Sequence, residues 1–149
     1  MSKILGSSLP EMIYELFRSK LPTVILATLS PDGYPNTAPI HLIYATDKNT
    51  LLMALARQHQ SMANIRDNGK VMICVCEEGD INVSIKGDAA MVKENMDCNK
   101  AMSIVKIKVQ EVKDDSTHSE TTSGIRYRCR TEKGESFIKH IFAELEEHR

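Results

Sequence analysis

Residues 50–76 read TLLMALARQHQSMANIRDNGKVMICVC and combine two strand-like runs with a helical segment. The two apolar runs are TLLMALA (50–56) and KVMICVC (70–76), and such runs are typical of strands. Between them, residues 59–67 carry apolar side chains at helical spacing, and an Asn-Gly pair follows as a suitable C-cap. The stretch therefore predicts a strand, a short helix and a second strand.

The chain before this stretch predicts two further strands. TVILATL (23–29) is a continuous apolar run, which favours a strand buried on both faces. Ser-Pro-Asp-Gly at 30–33 is a strong turn signal, and a second strand is expected over 34–45. Together with residues 50–56, these segments predict a three-stranded antiparallel meander over 23–56.

The remaining chain predicts more strands and two terminal helices. Gly87 lies inside one of the strands, where it indicates a bulge or a tight bend. A capping box that starts at Ser8 favours a helix near the N-terminus. The strands are expected at 70–76, 81–93, 101–113 and 124–130, and the helices at 8–20 and 134–148.

A length of 149 residues fits one domain over 1–149. The elements divide it into a helix (8–20), a barrel (22–113), a loop (114–123), and a strand with a closing helix (124–148). We expect a mainly β (α+β) fold, a six- to seven-stranded antiparallel barrel. A short helix would lie between strands 3 and 4, and helices would flank the barrel at both ends.

Composition argues against two classes of partner. The 19 basic and 20 acidic residues give a net charge of −1, so no general positive field attracts nucleic acid. Aromatic residues make up only 5% of the chain, which leaves little material for stacking bases. No apolar stretch is long enough to span a membrane. We therefore expect neither a nucleic-acid partner nor a membrane.

The cysteines favour a reducing, cytoplasmic setting. Cys74 and Cys76 form a C-x-C pair that points to one face of a strand, so they are poor disulfide partners. We expect them, with Cys98 and Cys129, to be reduced and buried thiols. The N-terminal residues contain no long apolar region, so no signal peptide is predicted.

Recognised motifs for nucleophilic or metal chemistry are missing from the sequence. There is no G-x-S-x-G elbow, and the histidine spacing fits no metal motif. We therefore predict no catalytic residue and no metal ligand. Residues 57–61 (RQHQS) instead cluster at the start of the short helix, where unpaired N–H groups favour an anion. Both a phosphate seat and a solvated helix cap fit this cluster.

The order of the motifs resembles the FMN-binding split-barrel family, which includes pyridoxamine-phosphate oxidases, flavin reductase-like proteins and small bacterial FMN-binding proteins. The resemblance covers roughly residues 20–113 and is closest to the small bacterial proteins at 59–65 (HQSMANI). The matching motifs are the S-P-D-G turn, PNTAPIHL (35–42), TLLMALA, H-x-S-x-x-N-I, KVMICV and I-K-G-D-A (85–89). The resemblance implies a split β-barrel, FMN as the cofactor, and a homodimer with flavins between the subunits.

The resemblance also implies which residues contact FMN. Two strands would lie along the flavin ring and ribityl chain, and the polar segment would bind the phosphate through a guanidinium fork and neutral donors. The strand residues are Ala38, Pro39, Ile40, His41, Met53, Ala54, Leu55 and Ala56. In the polar segment, Arg57, Gln60 and Ser61 would hold the phosphate, and Asn64 would brace the segment.

Three departures from the family limit the predicted activity. Many members carry a Lys in the phosphate segment, and pyridoxamine-phosphate oxidases carry an Arg where Ala38 stands. The C-terminal substrate motif of these oxidases is also missing, so their activity is not predicted. We expect an FMN-dependent oxidoreductase, with NAD(P)H or another compound as electron donor. A non-enzymatic FMN electron carrier, and a haem- or deazaflavin-binding protein, stay open as alternatives.

Three arginines alternate near the C-terminus, at Arg126, Arg128 and Arg130. On a strand they would share one face. That face could recognise a phosphate, but charged residues also protect an exposed edge strand from aggregation. We favour the second interpretation.

Overall fold

The computed structural model describes residues 2–148, which form eight strands and three helices. The strands are β1 (Lys3–Gly6), β2 (Val24–Leu29), β3 (Pro35–Ile40), β4 (Ile43–Asp47), β5 (Thr50–Ala56), β6 (Lys70–Glu77), β7 (Ile81–Lys93) and β8 (Met102–Asp114). The helices are α1 (Glu11–Arg18), α2 (Gln60–Asp67) and α3 (Glu132–Glu147). The predicted strand, short helix and strand of the opening stretch are β5, α2 and β6. No helix in this part of the chain is long and apolar enough to cross a membrane.

All the strands belong to one antiparallel sheet. Along it the order is β3, β2, β6, β7, β8, β5, β4, and β1 pairs with β8 beside this path. Within residues 2–148, β3 and β4 do not pair with each other, so the barrel is split between them. This confirms the predicted mainly β, antiparallel split barrel. The eight strands exceed the predicted six or seven, because β1 gives no clear sequence pattern and because the predicted strand over 34–45 forms two strands.

The predicted strand over 34–45 is wrong, because the chain bends at residues 41–42 and forms β3 and β4 instead. β3 pairs with β2, whereas β4 pairs with β5 at the other end of the sheet. The three-stranded meander over 23–56 therefore does not form. Pro35 and Pro39 lack a backbone N–H, which suits β3 to an edge of the sheet.

Burial alternates along the strands, and this corrects two predictions. Ile73 is fully buried, whereas Cys74 and Cys76 are exposed on the opposite face of β6. These cysteines do share a face, but the prediction that they are buried is wrong. It is also wrong for Cys98, which is exposed, and for Cys129, which is half-buried. β2 is not buried on both faces either, since Ile25 and Ala27 are only half-buried. The outer face of the sheet therefore exposes thiols and small apolar side chains.

The core lies in two clusters. The larger cluster fills the barrel and includes Phe17 of α1, which is fully buried. The smaller cluster lies under α3, where Ile141 and Leu145 pack against Leu52 and Ile104 of the sheet. α1 covers one end of the barrel, and α3 covers the outside of β4 and β5.

Both terminal helices begin at other residues than predicted. α1 begins at Glu11 with Pro10 as its N-cap, and no side chain caps it, so the capping box at Ser8 is wrong. The start of a helix favours proline, because the fixed φ of proline is already close to the helical value. α3 begins at Glu132, where the Thr131 hydroxyl accepts a hydrogen bond from Gly134 N at 3.0 Å.

Two glycines are required by close packing. A Cβ on Gly87 would lie 2.5 Å from Ile107 Cγ2, and the β7–β8 register shifts at this residue, which confirms the predicted bulge. A Cβ on Gly69 would overlap the carbonyl oxygen of Ala89. Gly69 therefore allows α2 to approach β7 closely, and Asn68 ends the helix in an extended conformation.

The prediction of a strand over 124–130 is wrong, because these residues pair with no strand. Arg126 forms an ion pair with Glu77, at the end of β6. The three arginines therefore do not form the predicted strand face. Alternation of polar and apolar residues leads to a strand only where the edge of a neighbouring strand is free to pair. Residues 124–130 instead contact the sheet through the ion pair of Arg126.

Glu144 connects α3 to the loop between β7 and β8. Its carboxylate accepts hydrogen bonds from the N–H groups of Asp97 and Cys98, at 2.9 and 2.8 Å, and pairs with Lys93 at 3.0 Å. Burial alone would raise the pKa of Glu144, but the two N–H donors and the Lys93 ammonium outweigh it and lower the pKa to about 2. The charged form of Glu144 therefore stabilises the position of α3.

We expect Glu144→Gln to lower the free energy of unfolding at pH 7 by about 1–3 kcal/mol. Because the folded pKa lies below the ordinary value of 4.5, this stabilisation is complete at neutral pH and is lost as the pH falls toward 2. Urea unfolding at pH 7 and pH 3 measures the difference. Glu147→Gln, on the exposed side of the same helix, is the control. An equally large difference at both pH values would contradict this role.

Candidate functional site

A small cavity of about 150 Å³ lies where the bend between β3 and β4 meets the end of β5. The Ala54 N–H donates to the Leu42 carbonyl at 2.9 Å and holds the two segments together. The cavity is lined by Pro39, Ile40, His41, Leu42, Ala54, Leu55, Ala56 and His59. It therefore unites two groups of predicted site residues, 39–41 and 54–56, that are distant in sequence.

Met53 and Ala38, which the resemblance also implies, lie beside this cavity but point elsewhere. Met53 is fully buried in the barrel core, and Ala38 is 7% exposed in the same cluster. Their side chains thus support the wall from behind.

His59 lines the cavity; it belongs to the predicted polar cluster 57–61, but it was not among the residues implied to contact FMN. It is the N-cap of α2, and its Nδ1 accepts a hydrogen bond from Ser61 N at 3.1 Å. A polar residue directly before a helix is the usual N-cap signal. That signal was available in the sequence, although histidine is an uncommon N-cap.

Asn64 fastens α2 to the barrel. Its side chain is buried, and Nδ2 donates to Thr28 Oγ1 at 2.9 Å and to Ser30 Oγ at 3.2 Å. The side-chain oxygen of Asn64, Oδ1, accepts a hydrogen bond from Gln60 Nε2 at 2.9 Å. These bonds tie α2 to β2 and to the turn after it.

Ser61 is also fully buried, and its hydroxyl accepts a hydrogen bond from Asn36 Nδ2 at 3.2 Å. The oxygen of Ser61 therefore points toward β3.

Two arginines lie around one carboxylate at the solvent-facing side of this region. Arg57 Nη2 lies 3.4 Å from Glu94 Oε1, and Arg66 Nη2 lies 4.0 Å from the same oxygen. The side chains of these three residues are 42% to 52% exposed. Two positive charges against one negative charge leave a net positive patch beside the N-terminus of α2. Arg66 was not predicted, because it lies in the last turn of α2, outside the polar cluster 57–61.

An aromatic ring reaches the cavity wall from the C-terminal part of the chain. The ring centroids of His41 and Tyr127 are 4.4 Å apart, and their planes are tilted by 39°. Burial lowers the pKa of the His41 imidazole, which favours its neutral form at pH 7. The sequence did not predict this contact, because Tyr127 was assigned to a strand.

Two larger open cavities collect none of the predicted site residues. One, of about 590 Å³, lies beside Tyr14, Arg18 and Tyr44. The other, of about 600 Å³, lies on the outer face of the sheet and includes Leu29 and Met72. The cavity at the split is therefore the one that the sequence motifs point to.

The sequence and the fold were compared with known proteins. Residues 11–126 match the family profile described as Pyridoxamine 5'-phosphate oxidase. No curated protein matches the chain. A Lactobacillus delbrueckii structure, named as a candidate pyridoxamine 5'-phosphate oxidase, superposes with a TM-score of 0.64 at 22% identity and covers 75% of this chain and 98% of its own.

Two further solved structures share the fold. HupZ of Group A Streptococcus has a TM-score of 0.58 at 20% identity, and the alignment covers 76% of this chain and 100% of HupZ. An FMN-binding protein of Syntrophomonas wolfei has a TM-score of 0.58 at 14% identity, covering 71% of this chain and 85% of its own. Because the family profile spans the chain from α1 through all of the barrel strands after it to residue 126, the chain belongs to the pyridoxamine 5'-phosphate oxidase family.

Proposed function

We propose that the protein binds FMN in the cavity at the split and acts as an FMN-dependent oxidoreductase. The observation that carries the proposal is the meeting of an apolar cavity with a cationic patch. Residues 39–41 and 54–56 line the apolar part, and Arg57 follows directly at the end of β5. FMN has this character, because its planar ring system has an apolar dimethylbenzene end and its phosphate is anionic.

The donor set also fits the group. Guanidinium groups recognise phosphate oxygens through paired N–H donors, and Arg57 and Arg66 both present such groups to solvent. Gln60 adds a neutral amide at the start of α2, and Asn64 keeps that helix end in place, whereas the predicted donor Ser61 is fully buried. Bound FMN would supply hydride or electron exchange, while the chain would bind it and shield part of its ring from water.

The proposal includes a homodimer with the flavin between two subunits. Pockets that enclose a cofactor usually have volumes of about 300–1,000 Å³. The cavity at the split has about 150 Å³, so one chain covers only part of such a ligand. The exposed apolar cavity that includes Leu29 and Met72 gives a second copy a surface to pack on. We also propose a cytoplasmic location, in keeping with four free thiols.

The residues do not favour pyridoxamine-phosphate oxidase activity. Ala38 stands where these oxidases carry an Arg. In the phosphate segment, Ser61 is buried and neutral, so it adds no positive charge. Glu94 also occupies the two arginines. We therefore propose moderate FMN affinity and a different electron-transfer partner.

One observation favours an alternative ligand. His41 and His59 line the same cavity, and imidazoles are common ligands of haem iron. A haem-binding protein on this fold is therefore the second candidate. A Soret band on addition of haemin, lost in His41→Ala or His59→Ala, would favour it over FMN.

The absorption spectrum tests the proposal directly. We expect the protein to retain flavin absorbance after addition of FMN and gel filtration, with one flavin per chain. Steady-state oxidation of NADH or NADPH then separates an enzyme from an electron carrier, which would bind FMN without turnover. A protein that stays colourless after this treatment would rule out the FMN site.

The phosphate role of Arg57 predicts a loss of affinity in Arg57→Gln. Loss of a charge-assisted hydrogen bond costs roughly 1.5–3 kcal/mol, so FMN should bind about tenfold or more weakly. Fluorescence titration with FMN measures this. Arg130→Gln removes the same charge from an exposed residue outside the site and should leave the affinity unchanged. Equal losses in both variants would indicate a general charge effect.

Glu94 competes with a phosphate for the two arginines, so Glu94→Gln should strengthen FMN binding. We expect a gain of about threefold to tenfold at low salt, which shrinks at high salt because the pair is exposed to solvent. Glu120→Gln, on an exposed loop, controls for the change in net charge. If Glu94→Gln binds FMN no better than Glu120→Gln, the competition does not exist.

A further inference from the structure

A buried charge marks the C-terminal part of the chain. Within residues 2–148, Glu77 is the only buried residue that carries a charge at neutral pH, and its side chain is 3% exposed. Arg126 meets it in a two-pronged pair, with Nη1 3.0 Å from Oε2 and Nη2 2.6 Å from Oε1. The Glu78 N–H also donates to Oε1 at 2.8 Å. Burying a carboxylate is unfavourable unless it is paired in this way, so the pair fixes residue 126 firmly.

Further contacts hold the same segment, residues 124–129, which we call the strap. A Cβ on Gly124 would overlap the carboxylate of Glu77, so the strap backbone lies directly against this group. Just before the strap, the N–H of Thr121 donates to Asp80 Oδ1 at 2.9 Å, and the N–H of Asp80 donates to the Thr121 carbonyl at 3.2 Å. The strap is thus attached to the end of β6 and the turn after it.

Hydrophobic burial does not explain why the strap stays in place. Ile125 and Tyr127 are each 44% exposed, and no strand pairs with residues 124–129. The ion pair is therefore its main attachment. Tyr127 comes directly after the anchored residue Arg126, and its ring lies on His41 at the wall of the cavity.

We infer that Tyr127 is a positioning residue for the cavity: it holds the His41 ring in the wall, and the Glu77–Arg126 pair holds Tyr127 in place. The link to cofactor binding rests on the proposed function. The contact between Tyr127 and His41 is independent of it. With its ring fixed and partly shielded from water, His41 presents a neutral imidazole to the ligand.

The protonation of the groups involved agrees with this arrangement. The Arg126 guanidinium lowers the pKa of Glu77, so the anchor stays charged at neutral pH and weakens only in acid. Burial lowers the pKa of His41 and raises the pKa of Tyr127, which keeps both rings neutral. The other titratable groups around this contact are Lys20, Arg128 and Cys129 beside Tyr127, and His59 across the cavity.

The test begins with NMR titration of the His41 imidazole in the protein without added ligand, with His41→Gln to assign the signal. We expect Tyr127→Ala to expose His41 and to raise its pKa toward the ordinary value, and Tyr127→Phe to leave it unchanged. Arg126→Gln releases the anchor and should also raise it. Arg128→Gln removes the same charge on the other side of Tyr127. A smaller rise of the His41 pKa in this variant than in Arg126→Gln would separate the loss of the anchor from the loss of charge.

FMN titration of the same variants is the second readout. We expect Tyr127→Ala and Arg126→Gln to weaken FMN binding about threefold to tenfold, and Tyr127→Phe to bind like the wild type. An unchanged His41 pKa or FMN affinity in Tyr127→Ala would overturn the inference, and so would equal pKa shifts in Arg126→Gln and Arg128→Gln. A wild-type protein that binds no FMN would overturn the proposed function instead, and the His41 titration would still decide the role of Tyr127.

Discussion

The two-residue connection between β3 and β4 is the constraint on which the fold depends. His41 and Leu42 join strands that lie at opposite ends of a path of seven strands. In a flat sheet, strands about 4.8 Å apart would place these ends roughly 29 Å from each other. The three peptide units between Ile40 and Ile43 span at most about 11 Å. The sheet must therefore curl until its two ends nearly meet.

The candidate site is a direct consequence of this constraint. β3 and β4, the two ends of the sheet, approach each other without backbone hydrogen bonds between them. Side chains of their connection and of β5 therefore enclose a cavity at this place. α2 begins at the same place, since it follows β5 by a few residues, and Asn64 attaches it to β2. The apolar cavity and the polar helix start thus come together through chain connectivity. The strap then covers the one part of the connection, His41, that the sheet leaves half-open.

The sequence predicted those features that depend on local pattern. The bounds of β7 were correct because its alternation is long, and Gly87 marked the bulge because only glycine fits beside Ile107. The bend at residues 41–42 was missed, since no turn-forming residue marks it in the sequence. Alternation over 124–130 indicated a strand, but the segment's partner is the distant carboxylate of Glu77. At the candidate site, the motifs predicted the two segments that line the cavity, 39–41 and 54–56, and the polar start of α2. Tyr127 and Arg66 come close to the site only in the folded structure, so no sequence motif marks them.

Two arginine–carboxylate pairs near the site differ in burial, and this difference separates their roles. Glu77 is shielded from water, so removing Arg126 from it would leave a buried charge unpaired, and this pair behaves as a permanent fastening. Glu94 and Arg57 are both about half exposed, and such pairs contribute little to stability because water competes with them. In the proposed FMN complex, the phosphate would therefore displace Glu94 at small cost, whereas displacing Glu77 would leave a buried carboxylate unpaired. One pair is thus a fixed anchor, and the other is the proposed exchangeable anion site.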